Sequence, residues 1–277
     1  MNYFSDLKET VTRALTEDIG DGDLTAQIIS ESATATARII SRESAVICGQ
    51  PWVNEVARQV DPGLLVSWDV ADGDEVQTND RLFTVSGKAR SILTAERTML
   101  NFLQSLSGTA TETRRYVDLI SDTNATLLDT RKTIPGLRMG QKYAVSVGGA
   151  LNHRIGLFDA FLIKENHIQA TGSIAAAIVR ARQINPHVRL EVEVENLDQL
   201  AEAISASPDW IMLDNFSIEN LREAHNLCSS TGIKLEASGG IEDMNILKAI
   251  AATGVDYISI GALTKHCRAI DLSMRFD

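Results

Sequence analysis

The chain has 277 residues, and 26 lysines and arginines against 37 aspartates and glutamates give it a formal net charge of -11. Its length allows one large or two moderate domains, and 44% hydrophobic residues provide for a full core. The acidic balance argues against binding to nucleic acid or to an anionic membrane surface. No apolar run approaches the roughly 18 residues of a membrane-spanning helix.

The N-terminal segment predicts a helix followed by a turn. Apolar residues recur at helical spacing between positions 5 and 17, and Ser5 is suited to cap the first turn. The sequence DIGDGDLT (18–25) then ends the pattern with glycines and aspartates, which favour a turn. A carboxylate-rich metal loop is the alternative, but the segment lacks the spacing of a calcium loop.

Strand-like alternation dominates from Ala33 to Lys88, with a short helical pattern over residues 51–60. The Asp72–Gly73 step is typical of a tight hairpin turn. This region therefore predicts a small open sheet with one helix, distinct from the C-terminal part of the chain.

The strongest helical pattern covers residues 90–120, and we expect this helix to join two domains. Gly108 interrupts its apolar face, so we expect a kink or break there. Arg97 also lies in this helix, where a solvated surface charge is the simplest interpretation.

From Thr126 onward, short apolar runs alternate with amphipathic segments, which indicates a parallel sheet covered by helices. The predicted strands are 126–130, 160–164, 189–194, 210–214, 233–237 and 256–260. The predicted helices lie near 139–149, 173–184, 197–206, 217–230 and 243–252. Such a series forms a barrel or an open doubly wound sheet. The lack of a G-x-G-x-x-G sequence after the first strand weakens the dinucleotide-binding option.

The ends of these strands favour the barrel, because each finishes in a polar residue or a glycine. These residues are Arg131 with Lys132, Lys164, Glu193 with Glu195, Asp214, Glu236 with Ser238, and Gly261. In a β/α barrel the carboxyl ends of all strands converge on one face, where the active site lies. We therefore predict an α/β protein with a parallel β/α barrel.

The stretch from Leu127 to His167 concentrates positive charge in an otherwise acidic chain. Its cationic or potentially cationic residues are Arg131, Lys132, His153, Arg154 and Lys164. Such a cluster suits a dianion, or two anionic ligands, bound by charge-assisted hydrogen bonds. Ordinary surface charges at strand ends are the alternative interpretation.

Acidic and small residues complete the predicted site. Glu193 and Asp214 lie at neighbouring strand ends, and such carboxylates hold Mg²⁺ together with substrate phosphates. Glu191, Glu193 and Glu195 alternate on one face of a strand, where three charges are unusual, so at least one is expected to have a function. The small residues suited to cradle a phosphate are Ser238, Gly239, Gly240 and Gly261.

Seven segments carry a family resemblance. They are EDIGDGDLTAQII (17–29), DTRKTIPGLR (129–138), NHRIGLFDAFLIKENHI (152–168), EVEVENLDQL (191–200), IMLDNFS (211–217), EASGGI (236–241) and ISIGALTKH (258–266). These segments resemble the quinolinate phosphoribosyltransferase family of NAD biosynthesis, and the resemblance covers nearly the whole chain.

The resemblance implies a seven-stranded, incomplete TIM-like barrel beside an N-terminal α+β open-sandwich domain. Residues 1–108 would form the first domain with its connecting helix, and 109–277 the barrel, with the last residues returning to the first domain. It also implies transfer of phosphoribosyl from phosphoribosyl pyrophosphate (PRPP) to quinolinate, with decarboxylation and with Mg²⁺ as the accompanying ion.

The resemblance assigns site residues as well. Those implied in catalysis are Lys132, Lys164, Glu193 and Asp214, of which Glu193 and Asp214 would also contact the PRPP-bound Mg²⁺. Those implied in substrate binding are Arg97, Arg131, Lys132, His153, Arg154, Lys164, Glu193, Asp214, Ser238, Gly239, Gly240 and Gly261. Arg97 would reach the active site of a partner subunit, so we expect a homodimer or an assembly of dimers.

Three other functions fit parts of the pattern. A paralogue on the same scaffold, such as the molybdenum-locus type, would transfer phosphoribosyl to another acid. An aldolase-type barrel would use Lys164 to form a Schiff base. A non-catalytic module would bind PRPP or a dicarboxylate without turnover, which the metal-binding carboxylates argue against.

The cysteines and the N-terminus bear on location. Cys48, Cys228 and Cys267 lie far apart and form no Cys-x-x-Cys pair, so neither a disulfide framework nor a zinc site is indicated. The N-terminus does not have the pattern of a secretory signal. We therefore expect a cytoplasmic location.

Overall fold

The computed structural model describes residues 2–241 and 243–276. The first part of the chain forms α1 (Leu7–Ile19), β1 (Thr34–Ser41), β2 (Ala45–Val46), α2 (Gln50–Val60), β3 (Leu65–Trp68), β4 (Glu75–Val76), β5 (Arg81–Lys88) and α3 (Ala89–Asp118). The remainder forms β6 (Thr126–Leu128), α4 (Arg138–Val147), β7 (Phe161–Ile163), α5 (Glu165–Thr171), α6 (Ile174–Ile184), β8 (Leu190–Val194), α7 (Leu197–Ala206), β9 (Trp210–Asp214), α8 (Ile218–Cys228), β10 (Lys234–Ser238), α9 (Met244–Ala251), β11 (Tyr257–Ser259), α10 (Ala262–Lys265) and β12 (Leu272–Phe276).

The chain divides into two compact units. The first contains the chain up to Arg114, the segment Thr133–Gly149, and the chain from Leu263 onward. The second contains Arg115–Lys132 and Ala150–Ala262. Within the described residues, no helix combines the length and the apolar character needed to cross a membrane.

The first unit is built on an antiparallel sheet of order β12-β1-β5-β3. Its core includes Trp52 from α2, Phe83 from β5, and Leu103 and Leu106 from α3, all buried. The predicted open sheet with a helix is confirmed. β12 lies beside β1, so the last described strand completes a sheet begun near the N-terminus.

The hairpin predicted at Asp72–Gly73 is wrong. The strand after this step, β4, pairs with β2 and not with the preceding β3. The carboxylate of Asp72 instead accepts hydrogen bonds from the amides of Gly49 and Gln50, at 2.9 and 3.1 Å, where α2 begins. Asp72 therefore satisfies free amides at a helix start, which composition alone does not reveal.

The break predicted at Gly108 is also wrong, because α3 runs without interruption through 30 residues. A Cβ atom on Gly108 would lie 2.0 Å from the carbonyl oxygen of Arg268. The glycine therefore permits close packing of the 268–269 backbone against the helix, and neighbouring hydrogen bonds keep the helix intact.

The second unit contains a parallel six-stranded sheet of order β6-β11-β10-β9-β8-β7. All six strands predicted from Thr126 onward are present within a residue or two of their expected bounds. A parallel bridge between Leu128 and Leu151 adds a short seventh position beside β6. α5 was not predicted, because its sequence ENHIQAT is short and lacks an apolar period.

The strands of this sheet present two chemically different faces. Leu190, Val192 and Val194 of β8 are fully buried aliphatic residues, as are Ile211 and Leu213 of β9. Because side chains alternate along a strand, Glu191 and Glu193 lie on the opposite face of β8. The helices α6, α7, α8 and α9 begin at side-chain caps, which are Ser173, Asn196, Ser217 and Asp243.

Candidate active site

The charged strand ends of the second unit meet in pairs, beginning with Lys164 and Glu193. Lys164 follows β7, and its ammonium contacts the carboxylate of Glu193 near the end of the neighbouring strand β8. Burial raises the pKa of Glu193, the ion pair with Lys164 lowers it, and the negative charge of Asp214 raises it, with a net rise. Two carboxylates near enough to repel each other, one of them held by an ammonium, form a site suited to a hard cation.

The alternating glutamates of β8 differ in burial as the strand proceeds. Glu191 is fully buried, Glu193 is half-buried, and Glu195, beyond the end of the strand, is exposed. Glu193 and Glu195 line a cavity with Glu165 and Gln169 of α5. The three glutamates therefore occupy different depths, and only Glu193 and Glu195 reach the open end of the sheet.

Asp214 and the glycines after β10 are linked by Asn215, a residue that sequence reasoning missed. The Asn215 side-chain amide donates to the Asp214 carboxylate at 2.8 Å, and its backbone N–H donates to the carbonyl of Ser238 at 2.9 Å. Asn215 has a φ of 56°, and Gly239 has a φ of 113°. A Cβ atom on Gly239 would lie 2.2 Å from Asn215 Oδ1, so this loop requires glycine.

Lys132 and Gly261 lie together at the ends of β6 and β11. These strands are neighbours, and a Cβ atom on Gly261 would lie 3.0 Å from Lys132 Cδ. The Lys132 backbone N–H donates to Thr130 Oγ1 at 3.0 Å. The lysine stem therefore passes over the glycine that ends the last strand of the sheet.

Arg131 and Arg154 form a region of positive potential. Burial lowers the pKa of Arg154, and repulsion by the charge of Arg131 lowers it further. Two guanidinium groups whose charges interact suit an anion bound between or beside them. The cationic cluster predicted from the sequence thus contains at least one pair of interacting guanidinium groups.

His153 lies deeper than the other predicted site residues, with 5% of its surface exposed. Its Nε2 is 2.8 Å from Glu191 Oε2 and 3.2 Å from Glu236 Oε2, and both carboxylates are fully buried. Its Nδ1 accepts a hydrogen bond from the Arg154 backbone N–H at 2.7 Å. Both ring nitrogens are therefore engaged by groups of the protein.

The protonation of this buried group depends on its neighbours. Burial lowers the pKa of His153, but the two carboxylates outweigh that effect and raise it to about 9. The hydrogen-bond geometry opposes this charging, because a second ring proton would sit on Nδ1 and face the Arg154 N–H 2.7 Å away. We follow the geometry and place a single ring proton on Nε2. Burial and the charge of Glu236 raise the pKa of Glu191 to about 7, against the lowering by His153.

Arg97 is exposed on α3 in the first unit, so the second unit alone does not contain the whole predicted set. The residues that the second unit brings to its strand ends are Arg131, Lys132, Arg154, Lys164, Glu193, Asp214, Ser238, Gly239, Gly240 and Gly261. Sequence reasoning gave no role to Asp129, Asn152 or Asn215, although each adjoins or lies within a matched motif. Their polar side chains beside charged residues were the available indication.

A parallel sheet with cationic and acidic side chains at its carboxyl strand ends places the chain among α/β enzymes, whose active sites lie at those ends. Comparison with known families defines the chain further. Residues 23–107 match the quinolinate phosphoribosyl transferase N-terminal domain, and residues 109–275 match the C-terminal domain. The chain belongs to the quinolinate phosphoribosyltransferase family, whose members are pentosyltransferase enzymes.

Individual relatives are similar over almost their whole length. A probable nicotinate-nucleotide pyrophosphorylase (carboxylating) of Bacillus subtilis is 42% identical, over 99% of this chain and 94% of its own. The Mycobacterium leprae nicotinate-nucleotide pyrophosphorylase is 42% identical, over 98% and 97%. The solved structure of the Francisella tularensis nicotinate-nucleotide pyrophosphorylase is 51% identical, with a TM-score of 0.95 over 98% of this chain and 96% of that one.

Proposed function

We propose that the chain transfers phosphoribosyl from PRPP to quinolinate with decarboxylation, giving nicotinate mononucleotide, pyrophosphate and CO₂ for NAD biosynthesis. The observation that carries the proposal is the match of both family domains, in order, over residues 23–107 and 109–275. The cationic and acidic strand ends of the second unit support it, because the reaction needs sites for a dicarboxylate and for a phosphorylated sugar.

Quinolinate is assigned to the cationic side of the site. Arg131 and Arg154 offer planar guanidinium groups suited to two-point contact with a carboxylate. Lys132 and Lys164 add positive charge after β6 and β7, the two outer strands of the six-stranded sheet. The dicarboxylate would thus be held by several charge-assisted hydrogen bonds, while nicotinate, with one carboxylate, would leave part of the cluster without a ligand.

PRPP is assigned to the acidic and glycine-rich side. Glu193 and Asp214 lie on adjacent strands and would hold Mg²⁺ together with PRPP, and the ion would neutralise charge that develops on pyrophosphate. The repulsion between these two carboxylates fits a cation site. Backbone amides of the loop Ser238–Gly240, with Gly261 beside it, would contact the 5′-phosphate.

The chemistry has two steps, and positioning dominates both. The bond from the anomeric carbon to pyrophosphate breaks as the pyridine nitrogen bonds to that carbon. The carboxylate next to the ring nitrogen then leaves as CO₂, its electron pair remains on the ring carbon, and a proton from solvent replaces it. The cationic pyridinium nitrogen stabilises that carbanion, so no residue of the chain is assigned as a general base.

Arg97 is assigned to the active site of a partner subunit, which makes the functional form a homodimer. Its exposure on α3 supports this role.

A direct assay tests the function. Purified protein is mixed with PRPP, Mg²⁺ and either quinolinate or nicotinate, and nicotinate mononucleotide and CO₂ are followed together. Product from quinolinate only, lost on removal of Mg²⁺ by a chelator, is the expected result. PRPP binding without product from either acid would assign the chain to a paralogous transferase instead.

A further inference from the structure

Two fully buried carboxylates, Glu191 and Glu236, meet the ring of His153 beneath the proposed quinolinate site. Among the described residues, neither oxygen of Glu236 has hydrogen-bond geometry with a donor, and the same holds for Oε1 of Glu191. Buried carboxylates without full hydrogen bonding cost stability, and apolar residues would fill the space at less cost. The arrangement therefore calls for a role beyond packing.

The other side of the ring leads to the backbone that carries Arg154. Because a backbone N–H can only donate, its 2.7 Å contact fixes His153 Nδ1 as an acceptor and places the ring proton on Nε2. That proton points at Glu191 Oε2, 2.8 Å away. Glu191 thus accepts the proton of the tautomer that allows His153 to hold the Arg154 amide, and the charge of Glu236, with Oε2 3.2 Å from Nε2, favours a proton on the same nitrogen.

The Arg154 amide is one of four consecutive backbone N–H groups that side chains hold. The His153 N–H donates to Asp129 at 2.8 Å, and the amides of Ile155 and Gly156 donate to Asp159 at 2.7 and 2.9 Å. Asp129 also accepts from Asn152 at 2.8 Å. This chain of contacts fixes the backbone on both sides of Arg154.

We propose that Glu191 and Glu236 are positioning residues that hold the His153 ring, and through its Nδ1 the backbone of Arg154, in place for binding the dicarboxylate. The inference deepens the proposed function and rests on it for the identity of the acid. His153 then acts on the substrate through Arg154. Trp210, edge-on to the His153 ring with centroids 6.5 Å apart, closes the other side of the ring.

Kinetics of three variants test the proposal. Glu191→Leu removes the acceptor and should raise KM for quinolinate about tenfold or more, with KM for PRPP changed less than about threefold. Glu191→Gln keeps an acceptor oxygen and should stay within about threefold of the wild type. Asp209→Asn removes a partly exposed negative charge that contacts Arg182 and the Leu190 amide in the same unit, and it should leave both KM values unchanged. An equal rise in both KM values, or the same change in Asp209→Asn, overturns the proposal.

Nitrogen NMR of ¹⁵N-histidine-labelled protein gives a readout independent of turnover. We expect the Nε2–H tautomer for His153 in the wild type and in Glu191→Gln, and its loss in Glu191→Leu. A doubly protonated ring or an Nδ1–H tautomer in the wild type overturns the proposal, even if the enzyme is active. If the wild type binds a divalent metal ion that a Glu236→Gln variant does not bind, the cluster is a metal site and the positioning proposal is wrong. If the tautomer is as expected but quinolinate gives no product, the proposed substrate fails while the positioning contact stands.

Discussion

At the residue scale, Asn215 shows how little space separates the proposed PRPP contacts. We expect Gly239→Ala to raise KM for PRPP about tenfold or more, because its Cβ would lie 2.2 Å from Asn215 Oδ1 and displace the residue that holds Asp214. Gly232→Ala is the control: its φ is also positive, at 78°, nothing lies within 4 Å of its Cβ, and it lies outside the proposed phosphate loop. Steady-state kinetics at varied PRPP concentrations measure KM for both variants. Equal effects would mean that backbone strain and not the Asn215 contact decides.

The ion pair of Lys164 with Glu193 makes a prediction about pH. Lys164 lowers the pKa of Glu193 against burial and Asp214, so Lys164→Ala should raise that pKa further. Because the ionised carboxylate is proposed to bind Mg²⁺ with PRPP, the acid limb of PRPP binding should move to higher pH. Calorimetric titration of the protein with PRPP and Mg²⁺ at several pH values measures this shift. Lys132→Ala, which removes a different lysine of the site, is the control. An unmoved acid limb in Lys164→Ala would separate Glu193 from PRPP binding.

Sequence patterns predict which residues lie at the site but not how deeply each is buried. Polar residues at strand ends indicated the site, because parallel strands present their carboxyl ends together. The same reasoning could not place His153 below the surface, since its burial depends on Glu191 and Glu236 from two non-adjacent strands. Asn215 stands beside Asp214 in sequence, but its contacts in the loop depend on a positive φ that the sequence does not show.

At the element scale, Gly108 lowers the helix propensity of α3 but allows the backbone of Arg268 to pack against the helix. Alanine is favoured over glycine in a helix interior by about 1 kcal/mol. The clash of a Cβ with the Arg268 carbonyl should outweigh this gain, and such overpacking costs about 1–3 kcal/mol. We therefore expect Gly108→Ala to lower the thermal midpoint, measured by calorimetry. Asn101→Ala, at an exposed position of the same helix, tests the propensity gain alone and should not lower it.

Asp209 links β8, β9 and α6, and it makes a prediction about stability and pH. Burial raises its pKa, but the bonds from Arg182 at 2.7 Å and from the Leu190 amide at 2.7 Å outweigh this effect and lower it. A group with a depressed folded-state pKa stabilises above its unfolded pKa and loses that contribution as pH falls through the folded value. Thermal midpoints of Asp209→Asn should therefore lie below the wild type at pH 7 and approach it below about pH 4. A constant difference across that range would contradict the assignment.

The elements themselves were largely predictable, and the exceptions have local causes. Short apolar runs placed the strands of the second unit and amphipathic periods placed most of its helices, because buried strands and amphipathic helices need those patterns. α5 was missed because its residues are mostly exposed and polar. The Asp72–Gly73 step was misassigned because a side chain that caps a distant helix looks the same in sequence as one in a hairpin.

At the scale of the whole molecule, the hydrophobic periodicity of the sequence does not give the order of the strands in the sheet. The sheet begins with β6 beside β11, the first and last strands of its series, and ends at β7. The segment Thr133–Gly149 leaves the strand series and joins the first unit, although its helix follows β6 directly in sequence. Only the family resemblance anticipated a seventh strand position, which the bridge at Leu151 occupies beside β6.

The proposed homodimer can be tested through Arg97, because residues from different subunits can complement each other. In a two-fold dimer, mixing Arg97→Ala with Lys164→Ala subunits gives hybrids in which one site lacks both side chains and the other lacks neither. Random reassortment should then restore about a quarter of the wild-type activity from two inactive parents. Mixing Lys132→Ala with Lys164→Ala is the control, because both lysines lie in one unit of one chain and every hybrid site lacks one of them. No recovery in the first mixture, with hybrid dimers verified by native mass spectrometry, would place Arg97 in the active site of its own subunit or outside it.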